Sequence, residues 1–333
     1  MRTGIQVALS LTLIVLAHSG VATPRAVVDE IKIGGPDGWD YATFDPTTHN
    51  LYIAHGSAIA SVNVLTKVAT AHLADAQGAH IAVPFADGRM LLITHGKANT
   101  VTLNDAKTGA VKVSVAVDSK PDAAIIEPRT GRAFVMANGA SLVDVVDLNT
   151  DEVVGRIAVG GDPEAAAVDG RGMVFTHLED HNALVVIDGS TRRVRATYTM
   201  NDCDEPSGIA FITKRNLVLS ACHNGIARFT NADTGVEVAK VQIGSRPDAA
   251  FYDDVHKLAF VPCGDGTLTV IGFSSAQPMV TEVVTTKAGA RTGAVDPASG
   301  IVYLPTADLE PPAKAGERPI VVPNTLKVLV IGS

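Results

Sequence analysis

The sequence predicts an all-β fold, a seven-bladed β-propeller of four-stranded antiparallel blades. Three observations predict it. A short phrase returns seven times, its copies lie about 42 residues apart, and short Val-, Ile- and Ala-rich runs broken by Gly-containing turns fill the space between. The phrase is GGPDGWDYATFDP at 34–46, DAQGAHIAVP at 75–84, SKPDAAIIEP at 119–128, GGDPEAAAVD at 160–169, DEPSGIAF at 204–211, SRPDAAFYDD at 245–254 and GARTGAVDP at 289–297. Its anchors Pro36, Gly78, Pro121, Pro163, Pro206, Pro247 and Arg291 are spaced by 42, 43, 42, 43, 41 and 44 residues. At 333 residues the length alone suggests two domains. The repeat overrides that prior, because seven blades make one closed domain of this size.

Residues 1–22 carry the marks of a secretory signal peptide. Arg2 supplies a positive start, 5–17 form an apolar run, and Gly20 and Ala22 sit at −3 and −1 of a cut after Ala22. The run is shorter than the ~20 residues that span a bilayer, and no other segment reads as a membrane span. The mature chain, residues 23–333, is therefore expected in the periplasm or outside the cell. Cleavage removes one Arg and no acid, so the net charge of −8 becomes 26 − 35 = −9. An acidic surface repels phosphate backbones, which argues against a nucleic-acid partner. Aromatic residues, at 5%, are too sparse for base or sugar stacking.

Blade 3 shows the expected order, from the axis outward: strand a at 123–127, b at 132–137, c at 142–147 and d at 152–159. Thr108-Gly109, Thr130-Gly131, Thr234-Gly235 and Ser299-Gly300 place glycine where turns want positive φ. Blade 7 has strand a at 293–296, b at 301–305 and c at 327–331, and the chain then ends one strand short. The spare segment 27–33 is expected to complete it, closing the ring and removing an open sheet edge. Between strands b and c of blade 7 lies an insert, 306–324, holding Pro311, Pro312, Pro319 and Pro323. So long a connection in a compact domain is functional or disordered. It shares a face with the loops that lead into each strand a, so it reads as a lid over that face or as a flap with no ligand.

Aligned on the ends of strand b, the ring reads His55, His95, Asn138, His177, Cys222, Cys263, Thr306. Imidazole and thiolate suit zinc or copper, which makes His55, His95 and His177 candidate ligands of a divalent metal at the channel mouth. No local H-x-x-x-H or C-x-x-C spacing supports them, and a polar ring is equally able to hydrogen-bond neighbouring blades and ordered water. The lead-in loops add His80, Asp122, Asp162, Glu164, Asp204, Glu205, Arg246, Asp248 and Arg291 to the same face, and Trp39, the one tryptophan, joins them. Arg246 and Arg291 are the best anchors for an anionic ligand, since guanidinium pairs bidentately with carboxylate or phosphate.

Three cysteines in an oxidising compartment allow one pair. Cys203 and Cys222 belong to one blade and one face, and they enclose a short loop. The rival pairing, Cys222 with Cys263, would staple adjacent blades. The first is preferred, leaving Cys263 as a buried small hydrophobe. No nucleophile elbow, P-loop or G-x-G-x-x-G turn appears, and no C-x-x-C-H haem motif.

The chain resembles the YVTN-repeat β-propellers, secreted bacterial proteins whose blades carry a Y-V-T-N-like strand b, a V-x-V-I-D strand c and an I-x-V-G-x-x-P lead-in. The matching pieces are FVMAN at 134–138, VDVVDL at 143–148, IAVGGDP at 157–163, ALVVID at 183–188, VQIGSRP at 241–247 and DGTLTVI at 265–271. CDEPSG at 203–208, ACHN at 221–224, GARTGAVD at 289–296, YLPTA at 303–307 and the ending VVPNTLKVLVI are similar to a narrower subgroup, as is the Pro-rich insert. That subgroup's paired Cys-E-P and G-C-H-N elements imply the Cys203–Cys222 disulfide. His177 and Cys263 depart from its pattern. The wider family has been linked to DNA binding and surface layers, and the acidic charge argues against the first.

The function expected is a ligand-binding or protein-interaction module working through the channel-mouth face, with a small molecule or a protein as partner and the chain a monomer. The alternative is a metal-assisted enzyme, a hydrolase, lactonase or lyase, using channel-lining His and carboxylate groups. A supporting role in electron transfer would need a partner's redox centre.

Overall fold

A computed structural model describes residues 23–35, 38–312, 314 and 319–333. Residues 1–22, where the sequence suggests a leader, and the anchor Pro36 lie outside these residues. Seven four-stranded antiparallel sheets form the ring. Blades 1 to 6 span 42–75, 79–116, 121–158, 163–199, 206–242 and 251–285. Each runs a, b, c, d in chain order from the axis outward. No α-helix occurs among the described residues.

Blade 7 is assembled from both ends of the chain. Ala294–Val295, Val302–Thr306 and Lys327–Gly332 are its inner three strands, and Ala26–Lys32 pairs on the outside, Ala26 opposite Gly332 and Lys32 opposite Lys327. The spare strand therefore closes the ring as the sequence predicts.

Strand b is the core of every blade. It lies between two sheets, so both faces are covered and nearly every residue is buried, as in Arg132–Ala137 and Leu258–Cys263. Tyr52, Phe134, Phe175, Phe229 and Phe260 fill the gaps between blades. Burying each stabilises the ring by roughly 1.5–3 kcal/mol. Strand d instead alternates exposed and half-buried positions, as in Val68–Asp75, because only one side meets the ring. The c–d pairing carries a bulge in each of blades 1 to 6, which adds twist to the outer edge.

The strand pairing corrects the ring alignment. Strand b ends at His55, His95, Ala137, Leu178, Cys222, Cys263 and Thr306. Asn138 therefore lies one residue beyond the shared position and His177 one residue before it. In blades 3 and 4 a single 3-10 turn follows strand b directly, and that turn hides the strand end from an alignment made on polar residues. A one-residue slip exchanges the two faces of a strand. His177 consequently points between blades 4 and 5.

Candidate functional site

The pairing of strands a and b shows how side chains reach the axis. In blade 2, Ala79 pairs with His95 and Ala82 with Ile93, so two residues of strand a oppose one of strand b. The same step occurs in blade 3 (Pro121 with Ala137, Ala124 with Val135) and in blade 4 (Pro163 with Leu178, Ala166 with Thr176). Such a bulge re-aims a side chain. The first residues displaced are His80, Asp122 and Glu164. Hydroxyls of strand b take up the freed backbone groups: Thr94 Oγ1 accepts from the Ile81 N–H at 3.2 Å, and Thr176 Oγ1 donates to the Ala165 carbonyl at 3.1 Å. Followed round the ring, the equivalent positions are Asp40, His80, Asp122, Glu164, Ser207, Asp248 and Arg291.

All of these except the buried Ser207 surround a cavity of about 830 Å³ at the mouth of the channel, and blade 5 contributes Glu205 and His223 instead, so every blade adds to its wall. Of the residues singled out from sequence, Trp39, His80, Asp122, Glu164, Glu205, Arg246, Asp248 and Arg291 line it, whereas Asp162 and Asp204 do not. His55, His95 and His177 do not. His55 Nδ1 faces the Gly38 carbonyl at 2.7 Å, His95 Nε2 faces Thr102 Oγ1 at 2.8 Å, and His177 Nε2 faces Ser220 Oγ at 2.8 Å. All three are buried, and their partners lie in three different places. Burial lowers the pKa of His95, and that of His177 to about 4, so each favours the neutral ring. The structure does not bring them together as ligands.

Polar groups at the mouth form three linked sets. In the first, His80 Nδ1 lies 2.7 Å from Asp40 Oδ2 and 3.3 Å from Asp122 Oδ1. The hydrogen bond to Asp40 raises the His80 pKa against the opposing effect of burial. Burial pushes Asp122 up to about 7, with His80 opposing and Asp40 and Asp248 adding to it. Beside it, the buried Tyr41 donates from Oη to Glu164 Oε1 at 3.0 Å. Burial, then the charges of Asp122 and Asp248, hold Glu164 well above the usual carboxylate range.

In the second set, His223 Nδ1 lies 2.8 Å from Glu205 Oε2, and Glu179 completes the group. A disulfide holds this pair in place. Cys203 and Cys222 are bonded, with Cα atoms 5.1 Å apart, and the His223 N–H donates to the Asp204 carbonyl at 2.8 Å. The preferred cysteine pairing is therefore the one formed. Cys263 is free and buried, and burial pushes its thiol up to about 12, leaving it inert as a nucleophile.

In the third set, Arg291 Nε lies 2.8 Å from Asp248 Oδ2. Burial pushes Asp248 up to about 6 even with Arg291 opposing. One of the two expected anion anchors is thus already paired. Arg246 is exposed and has no ion-pair partner among the described residues.

The insert reaches the same mouth. Leu309–Glu310 pairs antiparallel with Ile320–Val321, and Leu309, Pro319 and Val321 line the cavity. Its base is fixed: Asp308 pairs with Lys287 and lies 3.7 Å from Lys327 Nζ, and the Val322 N–H donates to the Asp308 carbonyl at 2.9 Å. Gly289, at φ +87°, leaves room for the Trp39 ring and Leu309, since a Cβ there would lie 3.0 Å from Leu309 Cδ1. The wall beneath the hairpin is apolar, whereas the wall formed by blades 1 to 5 is acidic.

Asp40, Glu179 and His223 escaped the sequence reading. Glu179 and His223 each follow the last residue of strand b, a position visible only once the register is known. Asp40 adjoins Trp39 in the first copy of the phrase, and its alignment with His80 was the missing signal.

Solved structures share this fold at low identity. A chain of Kuenenia stuttgartiensis hydrazine synthase is similar with a TM-score of 0.71 at 16% identity, over 86% of this chain and 95% of that one. A chain of the mitotic checkpoint complex is similar with a TM-score of 0.73 at 14% identity, over 91% of this chain and 95% of that one. Such likeness shows the propeller fold alone. No family model matches the chain, and no curated protein matches it significantly.

Proposed function

We propose that this chain is a secreted or periplasmic β-propeller of the YVTN-repeat type that binds a small polar ligand at the channel mouth, beneath the 306–324 insert. The observation that carries this reading is the cavity itself. It is concave, about 830 Å³, walled by charged groups from the blades and by Leu309, Pro319 and Val321 from the insert. Ligand sites are built in this way, from an apolar surface with a few placed polar groups. Arg246 is the anchor for an anionic group, because Arg291 already serves Asp248. In this reading residues 1–22 are a leader and 23–333 the working domain. The disulfide agrees with an oxidising compartment, and no described helix is long and apolar enough to cross a membrane. The excess of carboxylates at the mouth disfavours nucleic acid.

Thermal-shift screening of residues 23–333 against organic acids, amino acids and cell extract tests the proposal. A stabilising ligand is expected, with the shift reduced in Arg246→Ala and in a variant whose residues 309–321 are replaced by a short Gly-Ser turn. No shift with any sample, or shifts unchanged in both variants, rejects it.

A second reading, metal-assisted hydrolase, lactonase or lyase, draws on one specific observation. Burial pushes Asp248 up to about 6, toward the range where a carboxyl group serves as a general acid near neutral pH. Lactone and ester hydrolysis by the purified protein, abolished in Asp248→Asn, is the outcome that would favour it.

A further inference from the structure

We propose that Asp40, His80 and Asp122 form a binding site for one divalent transition-metal cation, zinc being the best match. The three side chains occupy the same position in three consecutive blades, so they converge on the axis from neighbouring directions. Their ligand atoms lie within 4.8 Å of one another. One imidazole and two carboxylates are a mixed nitrogen and oxygen set, which suits zinc or manganese and leaves positions open toward the cavity.

Hydrogen bonding within the group does not account for it. A single Nδ1–H faces two carboxylates, and it can serve only one well. Asp40 takes it at 2.7 Å, and Asp122 is left at 3.3 Å. The Asp122 side chain is only 20% exposed and accepts no hydrogen bond from any other described residue. A largely buried carboxylate whose one donor is distant and shared is costly unless a cation pairs with it. Two further acidic groups, Glu164 and Asp248, face the same wall, and Arg291 answers only Asp248.

The scaffold holds each ligand independently. The Asp40 N–H donates to the Ala54 carbonyl at 3.0 Å, and its own carbonyl accepts from Thr292 Oγ1 at 2.8 Å. His80 and Asp122 sit in the bulges of blades 2 and 3. Ligands fixed by separate strands give a preformed site.

This site does not depend on the anionic ligand proposed above, and its test uses metal salts alone. Protein prepared without chelator is analysed for metal content. Chelator-treated protein is then titrated with zinc chloride and with manganese chloride by calorimetry. About one cation per chain is expected, with binding weakened at least about tenfold in Asp122→Asn and in His80→Ala, since even loss of an outer partner of a metal ligand lowers affinity about 10–100-fold. His223→Ala removes the other carboxylate–imidazole group and is expected to leave the affinity unchanged. Circular dichroism checks that the variants fold, and Asp40→Asn replaces any that does not. No binding of either metal overturns the proposal. So does binding that survives Asp122→Asn and His80→Ala but is lost in His223→Ala.

Discussion

Arg291 Nε and Asp248 Oδ2 lie 2.8 Å apart at the channel mouth, joining blade 7, the blade closed by the chain's two ends, to blade 6. The Arg291 guanidinium is the nearest balance for a carboxylate that burial pushes up to about 6. Arg291→Ala is expected to destabilise the fold by about 1–2 kcal/mol at pH 8, a modest figure because the guanidinium is 40% exposed. Asp248→Asn in the same chain should restore most of the loss. Urea unfolding of the single and double variants measures both.

The Cys203–Cys222 bond closes a loop of 19 residues' separation and carries the Glu205–His223 pair on its two ends. Its removal should lower stability by about 3 kcal/mol. Wild-type protein unfolded with and without dithiothreitol is compared with Cys203→Ala/Cys222→Ala. Equal midpoints in all three would show that the blade does not rely on the bond.

Removing residues 23–32 exposes the edge of Lys327–Gly332 and uncovers Ile31's site in the blade 7 core. A stability loss well above about 3 kcal/mol is expected, since the ladder and an apolar side chain go together. The bared edge should also drive association. Gel filtration of the truncated chain reads this directly, and a monomer of unchanged melting temperature would contradict it.

Asp144, in strand c of blade 3, provides the clearest pH dependence. Its side chain is fully buried, accepts from the Asp118 N–H at 2.6 Å and lies 3.6 Å from Arg156 Nε. Burial pushes it from 3.8 to about 6. A carboxyl whose folded pKa is raised favours folding while protonated, and that contribution is lost as pH rises from 3.8 through about 6. Asp144→Asn should therefore be more stable than wild type at pH 8, by about 1–2 kcal/mol, with the difference closing by pH 4. Thermal melts across that range test it.

Much of the fold is legible in the sequence because a propeller repeats its local chemistry. Strands b and c of blade 3 begin and end where the Val-rich runs and Gly turns place them. The closing strand follows from counting strands in blade 7. The mouth was partly legible for the same reason: His80, Glu164, Arg246, Asp248 and Arg291 all follow the repeated phrase into strand a. What failed was register. His177 and Asn138 looked equivalent because both are polar residues near the end of a strand, yet they sit one residue to either side of the true position.

The sequence by itself determined the seven blades, the closure by the N-terminal strand, the face on which polar residues gather and the preferred cysteine pair, because each rests on periodicity or on short-range chemistry. Only the tertiary structure decided which polar residues meet. Bulges in blades 2, 3 and 4 turn His80, Asp122 and Glu164 toward the axis, while His55, His95 and His177 settle into separate buried hydrogen bonds. A bulge shifts a strand by a single residue, and in a sheet one residue decides whether a side chain faces the channel or the neighbouring blade.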